Sequence, residues 1–276
     1  MFVVTGPTGN IGSELVAQLL ERGESVRAVV RGEAGAARVP AGAEAVTGDL
    51  ADGSTLGDAF AGAECVFLLS GYDDEGIVAE LERAGAARAV LLSSSAAPTG
   101  RLENAVARYH IESERALEAS AVAATFVRPN AFMSNALGWR EQLRDGDVVR
   151  DAFGDVAIAT NDPADVAAVV AVALTTADHE GEALRVTGPE AITLDERVAI
   201  LGDVLGRDLR FDGFTDDEAR ADMSARMPEP YVDAFFEFFV DGIVDETTVL
   251  PTVEEVTGHP ARTFRAWAEA HAAAFE

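Results

Sequence analysis

Residues Thr5-Gly6-Pro7-Thr8-Gly9-Asn10-Ile11-Gly12 stand between an apolar run at 2–5 and a helical pattern at 10–22. In the latter Ile11, Leu15, Val16, Leu19 and Leu20 share one face, and Gly23 ends it. A strand that turns through spaced glycines straight into an amphipathic helix restricts the chain more than any other feature it has. It opens a βαβ unit, because a second strand parallel to the first needs a crossover connection to return beside it.

The alternation continues. Strand-like runs follow at 25–30, 43–47, 64–69, 88–93 and 123–128, with helical segments at about 54–62, 74–85 and 101–121. This order predicts an α/β fold: a doubly wound parallel, Rossmann-like sheet covered on both faces, its ligand crevice at the carboxyl ends of the strands. Beyond residue 129 helices dominate, at 162–176, 193–206, 215–227, 229–243, 251–258 and 260–275, with short strands near 155–159, 183–187 and 209–211. The division expected is a dinucleotide-binding domain over 1–150, to which 155–187 partly returns, and a smaller helix-rich substrate lobe over 188–276. A chain of 276 residues, 48% hydrophobic, can bury such a core.

The glycines have a chemical reading. Gly6 permits the tight turn, Gly9 leaves room for a pyrophosphate, and Gly12 lets helix and strand approach closely. The first helix offers free N–H groups and the positive end of its dipole. Thr8, Asn10 and Ile11 complete this candidate cradle. NAD-selecting proteins place an acid at the end of the second strand to hold the ribose hydroxyl. Here Arg31 stands there, nineteen residues after Gly12. A guanidinium suits a 2′-phosphate, so NADP(H) is expected in preference to NAD(H). Arg27 is a weaker candidate and Arg38 lies in an unassigned loop. Asp49, followed by Leu50, either meets the adenine or caps the next turn. Ser70 and Gly71 fall near the middle of the cofactor, and one of the serines Ser93 to Ser95 either holds the nicotinamide carboxamide or orients the substrate oxygen.

At this point the stretches TGPTGNIG, VRAVVRG, GDLADGSTL, VFLLSG, HIESERALEAS, FVRPNAFMSNAL and ALRVTGPEAITLDE resemble, in order, the NmrA-like branch of the atypical short-chain dehydrogenases/reductases. That family holds NADPH-dependent quinone and phenolic-ring reductases, and redox-sensing regulators that bind the dinucleotide without turnover. The resemblance implies that Pro129 and Asn130 pack near the nicotinamide with Phe132 and Asn135 beyond. It also implies that His110 occupies the place of a lysine in related aromatic-ring reductases. The segment 70–77 looks shorter than the family's.

Short-chain dehydrogenases usually protonate a carbonyl oxygen through a Tyr-x-x-x-Lys pair. Here Tyr109 is followed four residues later by Ser113, and all 21 basic residues are arginine, so that pair is absent. The remaining candidates are His110, which titrates near neutral pH in its unperturbed state, Tyr109, and Ser94 among the serines 93–95. Phe132, Met133 and Trp139 are candidates for the substrate pocket. Tyr231, Phe235, Phe238 and Phe239 form an aromatic stripe at helical spacing that suits either core or pocket, with Phe235 the candidate carried forward. Asp165 and Glu190 read as helix-start and turn residues.

A net charge of -27 argues against nucleic acid or an anionic membrane as partner. Four histidines and the single Cys65 show no ligand spacing, so no metal is expected, and Cys65 reads as a core residue. No apolar run reaches a membrane span, and strand-like residues begin at Phe2, which leaves no room for a signal peptide. The expectation is a cytoplasmic NADPH-dependent oxidoreductase passing hydride to a small apolar quinone, enone or carbonyl compound, with a homo-oligomer compatible. The alternatives are an NADP(H)-sensing regulatory protein without turnover, or a biosynthetic isomerase on the same fold.

Overall fold

The structure is a computed structural model and describes residues 1–275. Nine strands form in chain order: β1 (Phe2–Thr5), β2 (Val26–Val30), β3 (Glu44–Thr47), β4 (Cys65–Leu69), β5 (Arg88–Leu92), β6 (Ala123–Pro129), β7 (Val148–Val149), β8 (Ala183–Val186) and β9 (Arg210–Phe211). Seven make one parallel sheet in the order β3-β2-β1-β4-β5-β6-β8, while β7 and β9 pair separately. The direction of winding reverses between β1 and β4, which leaves a crevice outside their carboxyl ends.

The helices are α1 (Asn10–Glu21), α2 (Glu33–Ala36), α3 (Gly57–Phe60), α4 (Asp74–Ala84), α5 (Ala105–Glu118), α6 (Arg140–Asp145), α7 (Pro163–Thr175), α8 (Leu194–Leu205), α9 (Asp216–Ser224), α10 (Glu229–Phe239), α11 (Thr252–Thr257) and α12 (Phe264–His271). Alternate residues of each strand feed opposite faces of the sheet. Val4 and Phe67 pack with α1 and α7, whereas Val3 and Val66 pack with α3 and α4. α7 is apolar nearly all round because α1 and α11 cover what the sheet does not. Its start is set by Asp162, whose side chain accepts from the Ala164 amide at 2.9 Å, and by Pro163 in the first turn. A third core joins the segment after β6 to the C-terminal lobe through Met133, Trp139, Leu201, Phe264 and Trp267. Cys65 is buried, and that burial pushes its thiol up to about 12, so it packs as an inert core side chain.

Three expected elements differ. No strand forms at 155–159; Ile158 makes one bridge to Ile192, and the Ala159 amide donates to the Glu246 carbonyl, so this backbone is satisfied by loops. The helix expected at 54–62 divides into a 3₁₀ turn, Gly53–Leu56, capped by Asp52, followed by α3. The helix expected from 101 starts only at Ala105, because Asn104 caps it with bonds to the Val106 and Ala107 amides.

The opening turn has the sterics its glycines require. Gly6 sits at φ +58°, and a Cβ on Gly12 would lie 2.1 Å from the Gly6 carbonyl oxygen. At Gly9 the nearest atom to such a Cβ is that same oxygen, at 3.4 Å. Gly12→Ala is therefore expected to cost about 1–3 kcal/mol of stability as overpacking against rigid backbone. Gly9→Ala should stay within about 0.5 kcal/mol of the parent; urea unfolding of the two variants checks the contrast.

Candidate active site

Two hollows meet at the carboxyl ends of β1 and β4, where Leu69 and Tyr72 line both. The first, about 650 Å³, has Gly6, Pro7 and Thr8 on one side and Arg31, Arg38 and Asp49 on the other. Arg38 donates to the Thr8 carbonyl at 3.2 Å, which ties the loop after β2 to the glycine turn. Arg31 is exposed and pairs with no carboxylate among the described residues. Arg27 is placed elsewhere: it binds Glu44 at 2.9 Å and the carbonyls of Ala59 and Ala61, clamping β2 and β3 to α3. The Asp49 carboxylate accepts from the Ala51 amide at 3.0 Å, closing a local turn while facing the hollow beside Leu50.

The cradle divides. Gly6 and Thr8 face the hollow, but the side chain of Asn10 does not. It donates to the Ser134 hydroxyl at 3.1 Å and lines a different depression near Arg262. Ile11 is buried in the core beneath the sheet. The expected contribution of Asn10 and Ile11 is thus confined to backbone N–H groups. The α1 N-terminus carries no side-chain cap, so those groups remain without a side-chain partner there.

The second hollow, about 430 Å³, is floored by the ends of β5 and β6. Ser93 to Ser95 and Pro129 to Asn130 run side by side, with the Ser93 amide bonded to the Val127 carbonyl and the Ser95 amide to that of Pro129. Each serine has a different employment. The Ser93 hydroxyl donates at 2.5 Å to buried Glu114, which also takes two bonds from Arg128 at 2.8 and 2.6 Å. Ser95 donates to Glu246. The Ser94 hydroxyl accepts from the Ala96 amide at 3.1 Å, and its own proton has no partner among the described residues. Ser93 is consequently committed to an ion pair beneath the floor, and Ser94 is the one of these two left free to meet a ligand. Ser70 is committed as well, donating to the Leu92 carbonyl at 2.7 Å.

Glu246 was not singled out by pattern, yet it anchors the floor. It is buried, accepts from the Ala131 amide at 2.9 Å, and its carbonyl accepts from the Asn130 side chain at 3.1 Å. Burial raises its pKa, opposed by the Ser95 and Ala131 hydrogen bonds. Asn161 supports the same floor by donating to the carbonyls of Asn130 and Val186. The Asn130 Oδ1 and the His110 Nδ1 are both buried without a partner.

Tyr109 and His110 form one wall from α5, their ring centroids 4.2 Å apart. Gly71, at φ +83°, turns the chain so closely past Tyr109 that a Cβ there would lie 2.9 Å from its ring. Ser113, at the position where a Tyr-x-x-x-Lys lysine would stand, instead contacts Asp74 at 2.9 Å and accepts from the Gly71 amide at 2.9 Å. It therefore pins the short segment after β4 rather than tuning Tyr109. The opposite wall is aromatic: Phe132 with Phe235, Phe238 and Phe239, the last three from α10. Tyr231, on the same stripe, is exposed. Trp139 is not part of this wall. It is buried, donates to Asp151 at 2.8 Å, and lines an adjoining chamber, while Met133 is core.

Desolvation of the half-buried ring lowers the His110 pKa to about 3, so its imidazole is neutral at ordinary pH, where the unperturbed side chain titrates near neutrality. Burial also raises the Tyr109 pKa, which keeps the phenol protonated. Among the described residues no group of three His, Cys, Asp or Glu could hold a metal, and no helix is long and apolar enough to cross a membrane. Because the folded pKa of His110 lies below the unfolded value of 6.5, the unfolded chain binds the extra proton first. Stability is thus lost as pH falls through 6.5 toward 3. His110→Asn should accordingly lose less of its melting temperature between neutral and mildly acid pH than the parent; thermal melts across that range check it.

With this geometry in place, comparison with known proteins is informative. Residues 6–177 match the family model described as NAD(P)H-binding. The chain is 41% identical over 280 residues to the (4-alkanoyl-5-oxo-2,5-dihydrofuran-3-yl)methyl phosphate reductase of Streptomyces griseus, covering 100% of this chain and 99% of that one. It is 35% identical over 285 residues to an NAD(P)H azoreductase of Xenophilus azovorans, covering 100% and 99%. Among solved structures, the NADPH-dependent quinone oxidoreductase of Escherichia coli complexed with NADPH superposes with a TM-score of 0.81 at 24% identity, over 98% of this chain and 99% of that one. That likeness shows the shared fold. The chain belongs to the NAD(P)H-binding family.

Proposed function

We propose that this protein is an NADPH-dependent reductase of the NmrA-like branch, acting on small electron-poor conjugated acceptors such as enones and quinones. The observation that carries the reading is the crevice itself. It runs from the glycine turn and two guanidiniums to an aromatic-walled cleft whose His110 and Tyr109 are both held neutral.

The residues fit the cofactor. The uncapped α1 N-terminus and the open space before Gly9 suit the pyrophosphate. Arg31 and Arg38 suit a 2′-phosphate, and Leu50 and Asp49 flank the place of the adenine. The orphaned Asn130 Oδ1 suits the nicotinamide amide, with Pro129 beside it and Ser94 within the same cleft. When bound, the reduced cofactor supplies hydride to the acceptor.

The chain's own groups then orient, dry and hydrogen-bond. Phe132 and Phe235 hold an apolar acceptor flat against the floor and exclude water. Neutral His110 and protonated Tyr109 donate hydrogen bonds to the oxygen on which negative charge gathers. Neutral His110 carries no readily released proton at working pH, so the proton that completes reduction comes from the Tyr109 phenol or from solvent. Such a site is weak for isolated carbonyls and sufficient for acceptors whose own conjugation spreads the charge. The relatives' names agree in this respect. The Streptomyces griseus enzyme's substrate has a double bond conjugated with a lactone and an alkanoyl carbonyl, and the azoreductase acts on an azo bond.

Loss of NADPH absorbance across a panel of enones and quinones tests the reading, with turnover expected for several members. Turnover with none, alongside tight dinucleotide binding, would establish the sensing alternative instead. Arg31→Ala and Arg38→Ala should each raise the KM for NADPH roughly 10- to 100-fold, the worth of a charge-assisted phosphate contact. The KM for NADH should move far less; equal losses would mean these arginines do not select the cofactor.

A further inference from the structure

The cleft does not end at Phe235. A chamber of about 490 Å³ opens behind it, sharing Ala131, Asn135, Phe235 and Phe239 with the active-site cleft. Its other walls include Ile158, Leu194, Met223 and Met227, apolar side chains of which the methionines adapt readily to shape. Phe153, at φ +62°, is the one non-glycine residue with positive φ among those described, and it lines this chamber while packing on Phe236 and Phe239. Backbone held in that region needs a surrounding structure that enforces it, and such positions concentrate where ligands are clamped.

In this apolar chamber stands Arg197, from the first turn of α8. It is 5% exposed, and its Nη2 is buried with no hydrogen-bond partner. Among the described residues the guanidinium makes one hydrogen bond, a long one of 3.4 Å from Nε to the Thr193 carbonyl. The acid nearest in influence, Asp151, favours the charged guanidinium from a distance but forms no ion pair with it among the described residues; its two oxygens accept from Trp139 and from the Ala152 amide, each at 2.8 Å. Desolvation lowers the Arg197 pKa to about 10, which still leaves the guanidinium charged. A buried, charged and unpaired guanidinium costs several kcal/mol, and proteins keep one only where something compensates it. Arg226 at the chamber's edge is exposed and already paired with Asp222, so it does not need the same partner.

We propose that Arg197 is the anchor for an anionic head group, a phosphate or carboxylate, carried by the acceptor. The acceptor's conjugated bond lies in the cleft against His110, and its aliphatic part crosses the boundary at Phe235 into the chamber. This rests on the reductase reading for what sits in the cleft, but the anchor itself stands on the chamber and on Arg197. A planar guanidinium takes either oxyanion by paired hydrogen bonds, and the apolar side chains around it strengthen that contact.

The test uses three matched enones that differ only in the head: a phosphate monoester, a carboxylate and a neutral hydroxyl. The parent protein should favour one or both anionic forms. In Arg197→Met the ratio of kcat/KM for anionic over neutral acceptor should fall about 10- to 100-fold through KM, and Arg197→Lys should recover part of it. Arg197→Met should also melt at or above the parent, because it removes a buried charge that has no ion-pair partner. An unchanged ratio, or a large loss of melting temperature in Arg197→Met, would make Arg197 a packing residue and overturn the proposal.

Failure of the reductase reading is separable. If no enone is reduced, calorimetric titration of phenyl phosphate into the NADP⁺-saturated protein still decides the anchor. Binding that Arg197→Met abolishes supports it, and binding equal in both proteins, or absent from the parent, overturns it.

Discussion

The approach of Gly12 to the Gly6 carbonyl is the contact on which the rest of the molecule depends. No side chain fits between them, since a Cβ would come within 2.1 Å of that oxygen. The first helix can therefore start directly over the end of β1, with its uncapped N–H groups beside the switch point of the sheet. From that placement follow the position of the crevice, the side on which Arg31 and Arg38 must reach in, and the line along which the cleft extends to α10. A methyl group at this position would move the helix axis and with it the crevice.

The second determinant is dryness. The floor of the cleft is polar but closed: Ser93, Glu114, Arg128, Ser95 and Glu246 satisfy one another and leave little for a ligand. What remains available is sparse, namely the Asn130 Oδ1, the Ser94 hydroxyl and the His110–Tyr109 pair. Burial holds that pair uncharged, which leaves His110 without an imidazolium proton and keeps the Tyr109 phenol protonated. The same dryness continues into the chamber behind Phe235, where it makes one unpaired guanidinium conspicuous.

Residues read correctly for type were sometimes wrong for place. Trp139 follows β6 and is large and apolar, as a pocket residue should be, but the 3₁₀ turn over Met133–Trp139 carries it into the C-terminal lobe's core and onto Asp151. Asn10 sits in the glycine motif, yet its amide reaches Ser134 on the far side. The helical spacing of the aromatic stripe on α10 favours core over pocket. Its helix packs against α5 but leaves Phe235 and Phe239 at the boundary of two hollows, so the stripe is both.

What the amino-acid order alone determined is whatever depends on neighbours along the chain. The alternation of strands and helices, the turn that only glycine permits, the absent lysine and the arginine nineteen residues past Gly12 are local, and local sterics and periodicity make them readable. The tertiary structure decided what depends on residues distant in sequence. Glu246 lies 115 positions from the Ala131 amide it accepts, and nothing around it announces that bond. His110 keeps its ordinary chemistry in any short peptide and loses it only where the fold desolvates it. Arg197 looks like one more surface charge of an amphipathic helix until the lobe closes around it. Desolvation is a property of the assembled fold, so the charge states that govern this site become visible only there.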